Sequence, residues 1–433
     1  MQQIKKIQQA WCMYDWANSA YLLVITSTIF PIYFNGVTRS AFQSETVRFF
    51  GLEITNSVLY SYAVASAFLI VAIISPWLSG MADYGGKKKF FLKFFTYLGS
   101  AATAGLFWFR GENVEYGIVC SVLAGVGYSG SLVFYNSYLP EITTASNYDK
   151  LSARGYAYGY IGSVLLLLVS FALITFHKDL GFEVETAAVR LSFLLVGFWW
   201  FGFAQYSFYF LPDNKDRKKK DEKLFYKGVN ELKIVFQSLK NLKMMKAYLL
   251  AFFFYSAGVQ TVMHLAAIFG EKELRLEASK LIVTVTIIQI VAIGGAYLFA
   301  AISKRFNNGI SILFMLLIWI GVCGYAYVLQ TEYQFYVLAV IVGIVMGGIQ
   351  SMSRSTFSKL IPANSIDNTS YFSFYDVVEK LSIVIGTFSF GFIEQLTGSM
   401  RNSTIALMLF FVIGVGLLLY SKIHKTTSQT SYV

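Results

Sequence analysis

Charged residues are scarce in this chain. They make up 14% of its 433 residues, against about 25% in soluble globular proteins, while hydrophobic residues reach 56%. So few polar side chains cannot cover so large an apolar core with a solvated surface. The composition therefore excludes an ordinary soluble protein and indicates a membrane protein that crosses the bilayer many times.

Cysteine and histidine are also rare, with three of each. The cysteines lie in apolar stretches with no C-x-x-C spacing, so neither a zinc site nor a disulfide framework is expected. Three scattered histidines argue against a membrane-embedded enzyme, which would cluster His, Asp or Glu at one membrane face. The chain also lacks the G-x-x-x-x-G-K-[ST], H-E-x-x-H and G-x-S-x-G motifs. We therefore expect no enzymatic activity, no cofactor and no metal.

Long apolar runs, in contrast, are abundant. A helix that crosses ~30 Å of hydrocarbon needs about 20 mostly apolar residues. Twelve runs of this kind predict twelve transmembrane helices, at residues 11–36, 57–80, 90–109, 115–138, 155–176, 188–211, 246–269, 280–302, 310–329, 334–354, 371–394 and 403–421. Glycines in the fifth and tenth runs are interpreted as close contacts between helices.

One long polar segment, residues 212–245, separates six runs from the other six. We predict an N-terminal six-helix bundle at 1–211, a basic linker at 212–245 and a C-terminal six-helix bundle at 246–433. Within the linker, apolar residues recur at helical spacing from Leu224, which fits an amphipathic helix on the membrane surface. A solvated linker with some helix fits equally well, and both interpretations stay open.

The basic residues are distributed unevenly between the two sides of the membrane. Twelve spans put both termini on one side, and that side holds 25 of the 35 Lys and Arg residues. Because positive charge accumulates in cytoplasmic loops, both termini are predicted to be cytoplasmic and the protein to lie in the cytoplasmic (inner) membrane. The net charge of +11 is accordingly interpreted as topology and as contact with anionic inner-leaflet lipids, not as nucleic-acid binding.

The loop after the second span reads SGMADYGGKKK over residues 79–89. It resembles the loop signature of the major facilitator superfamily, G-x-L-A-D-R-x-G-R-R, although Ser79 and Tyr84 depart from it. Four residues match: Asp83, Gly86, Lys87 and Lys88. The resemblance implies that Asp83 meets a helix N-terminus of the neighbouring half and closes a cytoplasmic gate. The loop after the eighth span keeps the basic residues but lacks the acid, so an asymmetric gate is expected.

Five further blocks resemble the vacuole-effluxer-like branch of this superfamily, whose fungal members are implicated in amino-acid efflux from the vacuole. The blocks are YDWANSAY at 14–21, FYNSYLPE at 134–141, SARGYAYGYIG at 152–162, GGIQSMSRS at 347–355 and LIP at 360–362. The resemblance to this branch, in a bacterial-type member, implies an all-α polytopic membrane protein. Its twelve transmembrane helices would form two six-helix bundles with pseudo-two-fold symmetry, the major facilitator fold.

A carboxylate within a span is costly in the bilayer and is a functional candidate by default. Asp15 lies in the first span and shares a helical face with Trp11 and Asn18. It either binds a substrate ammonium group or a proton, or it simply pairs near the cytoplasmic edge.

The eleventh span contains three charged residues. Asp376 and Lys380 are four residues apart and are expected to pair on one face of the helix. Glu379 is adjacent to Lys380 in sequence, so its main partner is expected on another helix.

Two further spans contain polar candidates. His264 lies one turn after Gln260 in the seventh span and either takes up protons or forms a packing hydrogen bond. Gln350 and Arg354 lie one turn apart in the tenth span. Arg354 either binds a substrate carboxylate or anchors the cytoplasmic end of its helix.

These observations favour a secondary active transporter that works by alternating access. We expect a site between the halves near the bilayer midplane, small zwitterions such as amino acids as substrate, and export driven by protons. Asp15 would face the ammonium group, and Arg354 or Lys380 the carboxylate. A monomer is expected. A non-transporting receptor or scaffold on the same fold, and a transporter of another metabolite such as a sugar or nucleoside, remain the alternatives.

Overall fold

The computed structural model describes residues 2–213, 233, 235–238, 241–362 and 365–421. In these ranges the chain is almost entirely helical, in accord with the predicted all-α class. The predicted linker at 212–245, with its proposed surface helix, lies mostly outside the described residues. The helices are α1 Gln2–Ala20, α2 Phe30–Phe42, α3 Asn56–Gly85, α4 Lys88–Gly105, α5 Val114–Asn136, α6 Leu139–Ile142, α7 Tyr148–Thr175, α8 Glu185–Phe210, α9 Lys243–Leu274, α10 Ala278–Phe306, α11 Asn308–Val328, α12 Glu332–Leu360, α13 Asn368–Thr397 and α14 Met400–Tyr420.

Within the described residues, eleven helical stretches are long and apolar enough to cross a membrane. The predicted eleventh span, in α13, does not meet that criterion, although α13 has 30 residues. Its charged residues, Asp376, Glu379 and Lys380 among them, lower the hydropathy of the helix. All twelve predicted spans nevertheless coincide with long helices, and α13 is the polar one among them.

The first span is not α-helical throughout. A π-helical segment, Tyr21–Ile29, joins α1 to α2 and continues the same span. The Thr28 hydroxyl donates to the Leu23 carbonyl oxygen at 2.6 Å, and the Tyr60 hydroxyl donates to the Thr26 carbonyl oxygen at 3.0 Å. Pro31, which has no backbone N–H, stands at the start of α2 and interrupts the helical bonding there.

A short hairpin follows the first span. Strand β1, Thr46–Phe49, pairs antiparallel with β2, Leu52–Thr55. The two residues between the strands, Phe50 and Gly51, both have positive φ, at 45° and 85°. Two left-handed residues match the twist of the flanking strands, which is why this tight turn closes the hairpin.

The contacts divide the chain into two compact units. The N-terminal unit contains residues 2–78, 86–135 and 158–213. The C-terminal unit contains Ser79–Gly85, Asn136–Ala157 and the described residues from 233 onward. The last two turns of α3 and the first turns of α7 therefore belong to the C-terminal unit. The sequence instead predicts a single boundary between two bundles, within the linker at residues 212–245. That boundary stays a prediction.

Glycine allows close helix contacts in both units. Between α10 and α12, a Cβ at Gly347 would overlap the carbonyl oxygen of Ala292, and one at Gly343 would lie 2.7 Å from the Ile288 carbonyl oxygen. In the N-terminal unit, a Cβ at Gly162 would lie 2.6 Å from the Trp16 carbonyl oxygen. These glycines act in helix packing, as predicted for the fifth and tenth spans.

Gly347→Ala is expected to lower the stability of the protein by about 1–3 kcal/mol, because the added methyl group forces α10 and α12 apart. The matched control is Gly321→Ala in α11, where a Cβ meets nothing within 4 Å. Alanine there gains up to about 1 kcal/mol of helix propensity. The apparent midpoint of thermal unfolding in detergent, at one scan rate, measures both. Equal midpoints for the two variants would contradict the packing argument.

Candidate functional site

Asp15 lies in a buried aromatic setting within the N-terminal unit. Its side chain is 5% exposed and accepts a hydrogen bond from the Tyr135 hydroxyl at 2.6 Å. Trp11 stacks on the Tyr135 ring with centroids 4.7 Å apart and donates its indole N–H to the Tyr135 carbonyl oxygen at 3.0 Å. Tyr135 is therefore fixed by Trp11 and in turn orients the carboxylate. Sequence reasoning missed Tyr135, which is 120 positions away from Asp15.

Asn18 lies on the same helical face as Asp15 and is 1% exposed. Its Oδ1 atom accepts a hydrogen bond from the Ser19 hydroxyl at 3.4 Å. Its Nδ2 atom has no hydrogen-bond partner among the described residues. A buried amide donor without a partner is costly unless a ligand or water completes it. Asn18 therefore remains a candidate ligand-binding residue.

The C-terminal unit contains a cluster of charges on α13. The Lys380 ammonium nitrogen lies 3.1 Å from Asp376 Oδ1 and 3.4 Å from Glu379 Oε2. The predicted pairing of Asp376 and Lys380 is confirmed. Glu379 also accepts a hydrogen bond from the Gln260 amide of α9 at 3.2 Å, so it has a partner on another helix as expected. Two candidates separated by 119 positions thus meet directly.

The three charges differ in exposure. The side chains of Asp376 and Lys380 are 4% and 5% exposed, whereas that of Glu379 is 21% exposed. Asp376 Oδ2 has no hydrogen-bond partner among the described residues. Glu379 is thus the more exposed of the two carboxylates in the cluster.

A buried hydroxyl network joins α9 to α12 in the same unit. The Tyr255 and Ser353 hydroxyls lie 2.8 Å apart, and the Tyr248 hydroxyl donates to the Ser353 carbonyl oxygen at 2.9 Å. The two tyrosine hydroxyls lie 3.1 Å apart. Sequence reasoning did not find this network, because tyrosines are too numerous in the chain to single out. The available signal was the spacing of Tyr248 and Tyr255, which lie seven residues, or two helical turns, apart on α9.

Two other polar residues predicted from the sequence, Gln350 and His264, also lie in the C-terminal unit. Gln350 donates its amide to the Met263 sulfur at 3.1 Å. His264 is half-buried in α9, one turn beyond Gln260.

Asp83 makes the contact that the loop signature implies. The backbone N–H and the hydroxyl of Ser370 donate to Asp83 Oδ2 at 2.7 and 2.8 Å, and the Thr369 N–H donates to Oδ1 at 3.3 Å. These donors belong to the first turn of α13, where unpaired N–H groups attract a carboxylate. Gly86, with φ of 61°, makes the turn after α3, Lys87 directly precedes α4, and Lys88 is the first residue of α4.

Arg354 is engaged with protein groups of the same unit. It is 2% exposed, and it donates to the Ser152 hydroxyl and carbonyl oxygens at 3.0 and 2.9 Å and to Asn136 Oδ1 at 3.2 Å. Its guanidinium also lies 4.2 Å from the centre of the Tyr156 ring. Of the two interpretations left open by the sequence, this placement favours an anchor between α12 and the start of α7.

Within the described residues, no group of three or more His, Cys, Asp or Glu side chains is arranged to hold a metal ion. The candidate residues described above instead offer carboxylates, amides and the ammonium group of Lys380. Such groups bind small polar or charged solutes through hydrogen bonds and ion pairs.

Comparison with known proteins identifies the family. The sequence model described as "Vacuole effluxer Atg22 like" matches residues 3–431. The chain is 31% identical over 425 residues to YxiO of Bacillus subtilis, an uncharacterized MFS-type transporter, covering 97% of this chain and 96% of YxiO. It is 26% identical over 472 residues to autophagy-related protein 22 of Kluyveromyces lactis, covering 95% of this chain and 92% of that protein.

Two solved structures with the same fold are distant from this chain in sequence. The proton:xylose symporter XylE matches with a TM-score of 0.73 at 14% identity, over 97% of this chain and 95% of that one. FucP in the outward conformation matches with a TM-score of 0.69 at 14% identity, over 96% and 98% of the two chains. Together with the helices described above, these matches show the major facilitator fold. The chain belongs to the vacuole effluxer Atg22-like family, a branch of the major facilitator transporters, which are not enzymes.

Proposed function

We propose that this chain is a proton-coupled exporter of small zwitterions, with amino acids as the leading substrate class. Secondary transport itself follows from the family. The substrate class and the direction are argued from the Glu379 cluster. The setting proposed for this activity is the cytoplasmic membrane, with both termini in the cytoplasm and the halves 1–211 and 246–433 alternating in access.

The observation that carries the proposal is the charge balance of the α13 cluster. Two carboxylates, Asp376 and Glu379, surround one ammonium group, that of Lys380. An ionised carboxylate within a membrane-spanning helix is costly unless it is neutralised. The shorter Asp376–Lys380 pair accounts for one carboxylate, so Glu379 carries the surplus negative charge. That charge calls for a positive partner, either a proton or the ammonium group of a solute.

A zwitterion satisfies both ends of this cluster. Its ammonium group would pair with Glu379, and its carboxylate would lie near Lys380. Because a single carboxylate binds either an ammonium group or a proton, the two ligands exclude one another. Mutual exclusion at one site makes solute and proton travel in opposite directions, which is the behaviour required for export driven by an inward proton gradient.

Asp15 is the second candidate for the ammonium group. It is a buried carboxylate in the first span, and the nearby Asn18 amide nitrogen has no hydrogen-bond partner in the part of the chain that the structure describes. Asp15 already accepts a short hydrogen bond from Tyr135, however, whereas the side chain of Glu379 is more exposed. Glu379 is therefore proposed as the principal site. The two assignments are separated by the variants below.

Proteoliposomes containing the purified chain test transport and its coupling. With labelled amino acids outside, uptake is expected to accelerate when the vesicle interior is more acidic, because protons leave as the solute enters. A symporter would show the opposite sign of the pH effect. Protein-free vesicles, and an ionophore that collapses the pH gradient, are the controls. Uptake that ignores the pH gradient, with no proton movement, would refute proton coupling, and absence of flux for every solute would favour the receptor alternative.

The solutes for that assay come from a thermal-shift screen of amino acids, peptides, sugars and nucleosides. A ligand present at 100 times its Kd stabilises the folded protein by about 2.7 kcal/mol. Stabilisation by sugars or nucleosides, and not by zwitterions, would replace the substrate class proposed above.

Glu379→Gln is expected to weaken zwitterion binding by about 1.5–3 kcal/mol, roughly 10- to 150-fold in Kd, because it removes a charged hydrogen-bond partner. The same variant should abolish the response of uptake to the pH gradient. Glu394→Gln is the matched control: it removes a carboxylate from the same helix, where Glu394 pairs with Lys272 at 2.9 Å. Its affinity should equal that of the wild type.

Asp15→Asn separates the two candidate sites. If Glu379 binds the ammonium group, Asp15→Asn should change the Kd for the same zwitterion by less than Glu379→Gln does. Titration calorimetry in detergent measures both without transport. Full affinity in Glu379→Gln together with lost affinity in Asp15→Asn would transfer the role to Asp15.

A further inference from the structure

The hairpin that follows the first span has one apolar face and one polar face. Val47 of β1 lies opposite Ile54 of β2. Phe49 lies opposite Leu52. Opposed residues, and alternate residues along a strand, point to the same side of a sheet, so these four residues form the apolar face. The other strand residues form the opposite face and are all polar: Thr46, Arg48, Glu53 and Thr55.

The apolar face is buried at the base of the hairpin and exposed at its tip. Val47, near the base, is 1% exposed, whereas Leu52 is 71% exposed and the turn residue Phe50 is 73% exposed. The Phe49 and Phe50 rings pack edge to face with centroids 4.7 Å apart, so the apolar surface continues into the turn. The tip therefore presents large apolar side chains outside the protein core.

Hydrogen bonds fix the hairpin at both ends. At the base, the Asn56 N–H donates to the Glu45 carbonyl oxygen at 2.8 Å, and the Asn56 amide donates to the Thr38 hydroxyl of α2 at 3.0 Å. At the tip, the Phe50 N–H donates to Glu115 Oε1 at 3.1 Å. Glu115 is the second residue of α5, which is the fourth span. The tip is thus held beside the start of a span.

Exposed aromatic residues mark the same level of the molecule. Tyr116 follows Glu115 directly, and its hydroxyl donates to the Gly105 carbonyl oxygen at the end of α4, at 2.7 Å. Trp108, in the connection between α4 and α5, is also exposed. Trp and Tyr at the ends of spans are typical of the boundary between membrane and water. Because the hairpin tip is bonded to residue 115, it lies at this boundary.

The backbone at Phe50 is unfavourable for an aromatic residue. Its φ is 45°, in the left-handed region that bulky side chains rarely adopt. Asn, Asp and Gly are the usual residues at this position of a two-residue hairpin turn. A strained residue of this kind indicates that its side chain has a role beyond the turn itself.

Charge does not explain what the tip contacts. Between residues 39 and 55 the chain has two arginines, Arg39 and Arg48, and two glutamates, Glu45 and Glu53. The segment is therefore neutral, and Arg39 and Glu45 already pair with each other at 3.2 Å. A neutral segment with an apolar tip fits the uncharged boundary between lipid headgroups and acyl chains better than a charged surface.

We propose that Phe50 and Leu52 insert into this boundary and make the hairpin an interfacial anchor, at the end of the first span remote from Gln2. The occupant of the exposed tip is the lipid of that leaflet. The anchor holds the starts of α3 and α5 at a constant depth in the membrane. The proposal does not depend on which solute the chain transports or in which direction.

Spin labels on the full chain, reconstituted in phosphatidylcholine vesicles, test the anchor. Nitroxides are attached at Phe50→Cys and Leu52→Cys, and power saturation compares their collision with oxygen and with a water-soluble nickel chelate on both sides of the membrane. The ratio of oxygen to nickel accessibility should be roughly threefold or more above that of the matched control, Glu53→Cys on the polar face. A label at Trp108→Cys should match the tip within about twofold. The unsubstituted chain, whose described cysteines are buried, gives the background.

Equal and high nickel accessibility at residues 50, 52 and 53 would overturn the proposal and leave the tip in water, free for a protein partner. A ratio at residue 52 that rises only when anionic phospholipid is added would also overturn it, because the contact would then be electrostatic.

If a cysteine variant fails to fold, benzoylphenylalanine in place of Phe50 keeps an aromatic side chain there and gives an independent measurement. Irradiation in the same vesicles should add the mass of one phospholipid to the peptide that contains residue 50. The same replacement at Glu53 should give roughly threefold less adduct or none. Equal yields at the two positions, or no lipid adduct at residue 50, would equally overturn the anchor.

Discussion

The hydrocarbon interior of the bilayer offers no water to polar groups, and this constraint governs the structure. Backbone groups are satisfied within continuous helices, and charged side chains within spans are satisfied by opposite charges or by neutral hydrogen-bond donors. The Asp376–Lys380 pair, the Gln260–Glu379 hydrogen bond and the Tyr135–Asp15 hydrogen bond are three solutions to the same problem. Each joins groups that would be costly alone, and together they confine polarity to a few places within an apolar fold.

The buried polar contacts are of two kinds: complete contacts, in which the charge is surrounded by hydrogen-bond partners, and incomplete contacts, in which a polar atom lacks one. Around Arg354 and Asp83, protein donors and acceptors surround each charge, so these contacts hold helices together. Around Asn18 and Asp376, single polar atoms lack a hydrogen-bond partner among the described residues. A ligand or a proton stabilises an incomplete site most, because it supplies the missing hydrogen-bond partner. It thereby removes the desolvation cost of the unsatisfied polar atom. We therefore propose the incomplete contacts, and not the complete ones, as positions that bind a ligand or a proton.

Much of the fold could be predicted from sequence because hydropathy acts locally. Every predicted span coincides with a helix, and the polar eleventh span was recognisable from its position between apolar neighbours. Pairs at helical spacing, such as Asp376 and Lys380, were equally predictable. Contacts between distant segments were not: Tyr135 is 120 positions from Asp15, and Ser152 is 202 positions from Arg354. Asp83 was the exception, because a motif carried the long-range information.

The π-helical segment has a consequence for how the first span aligns with its relatives. Each i→i+5 turn holds one residue more than an α-helical turn. Removing one residue between Tyr21 and Ile29 would let the segment close as α-helix, with Asp15 and Tyr135 left in register. A relative whose first span is one residue shorter could therefore keep both α1 and α2 intact and lose the residue from the π-helical segment. Length variation here should fall on this segment, and the register of Pro31 should move while that of Asp15 is kept.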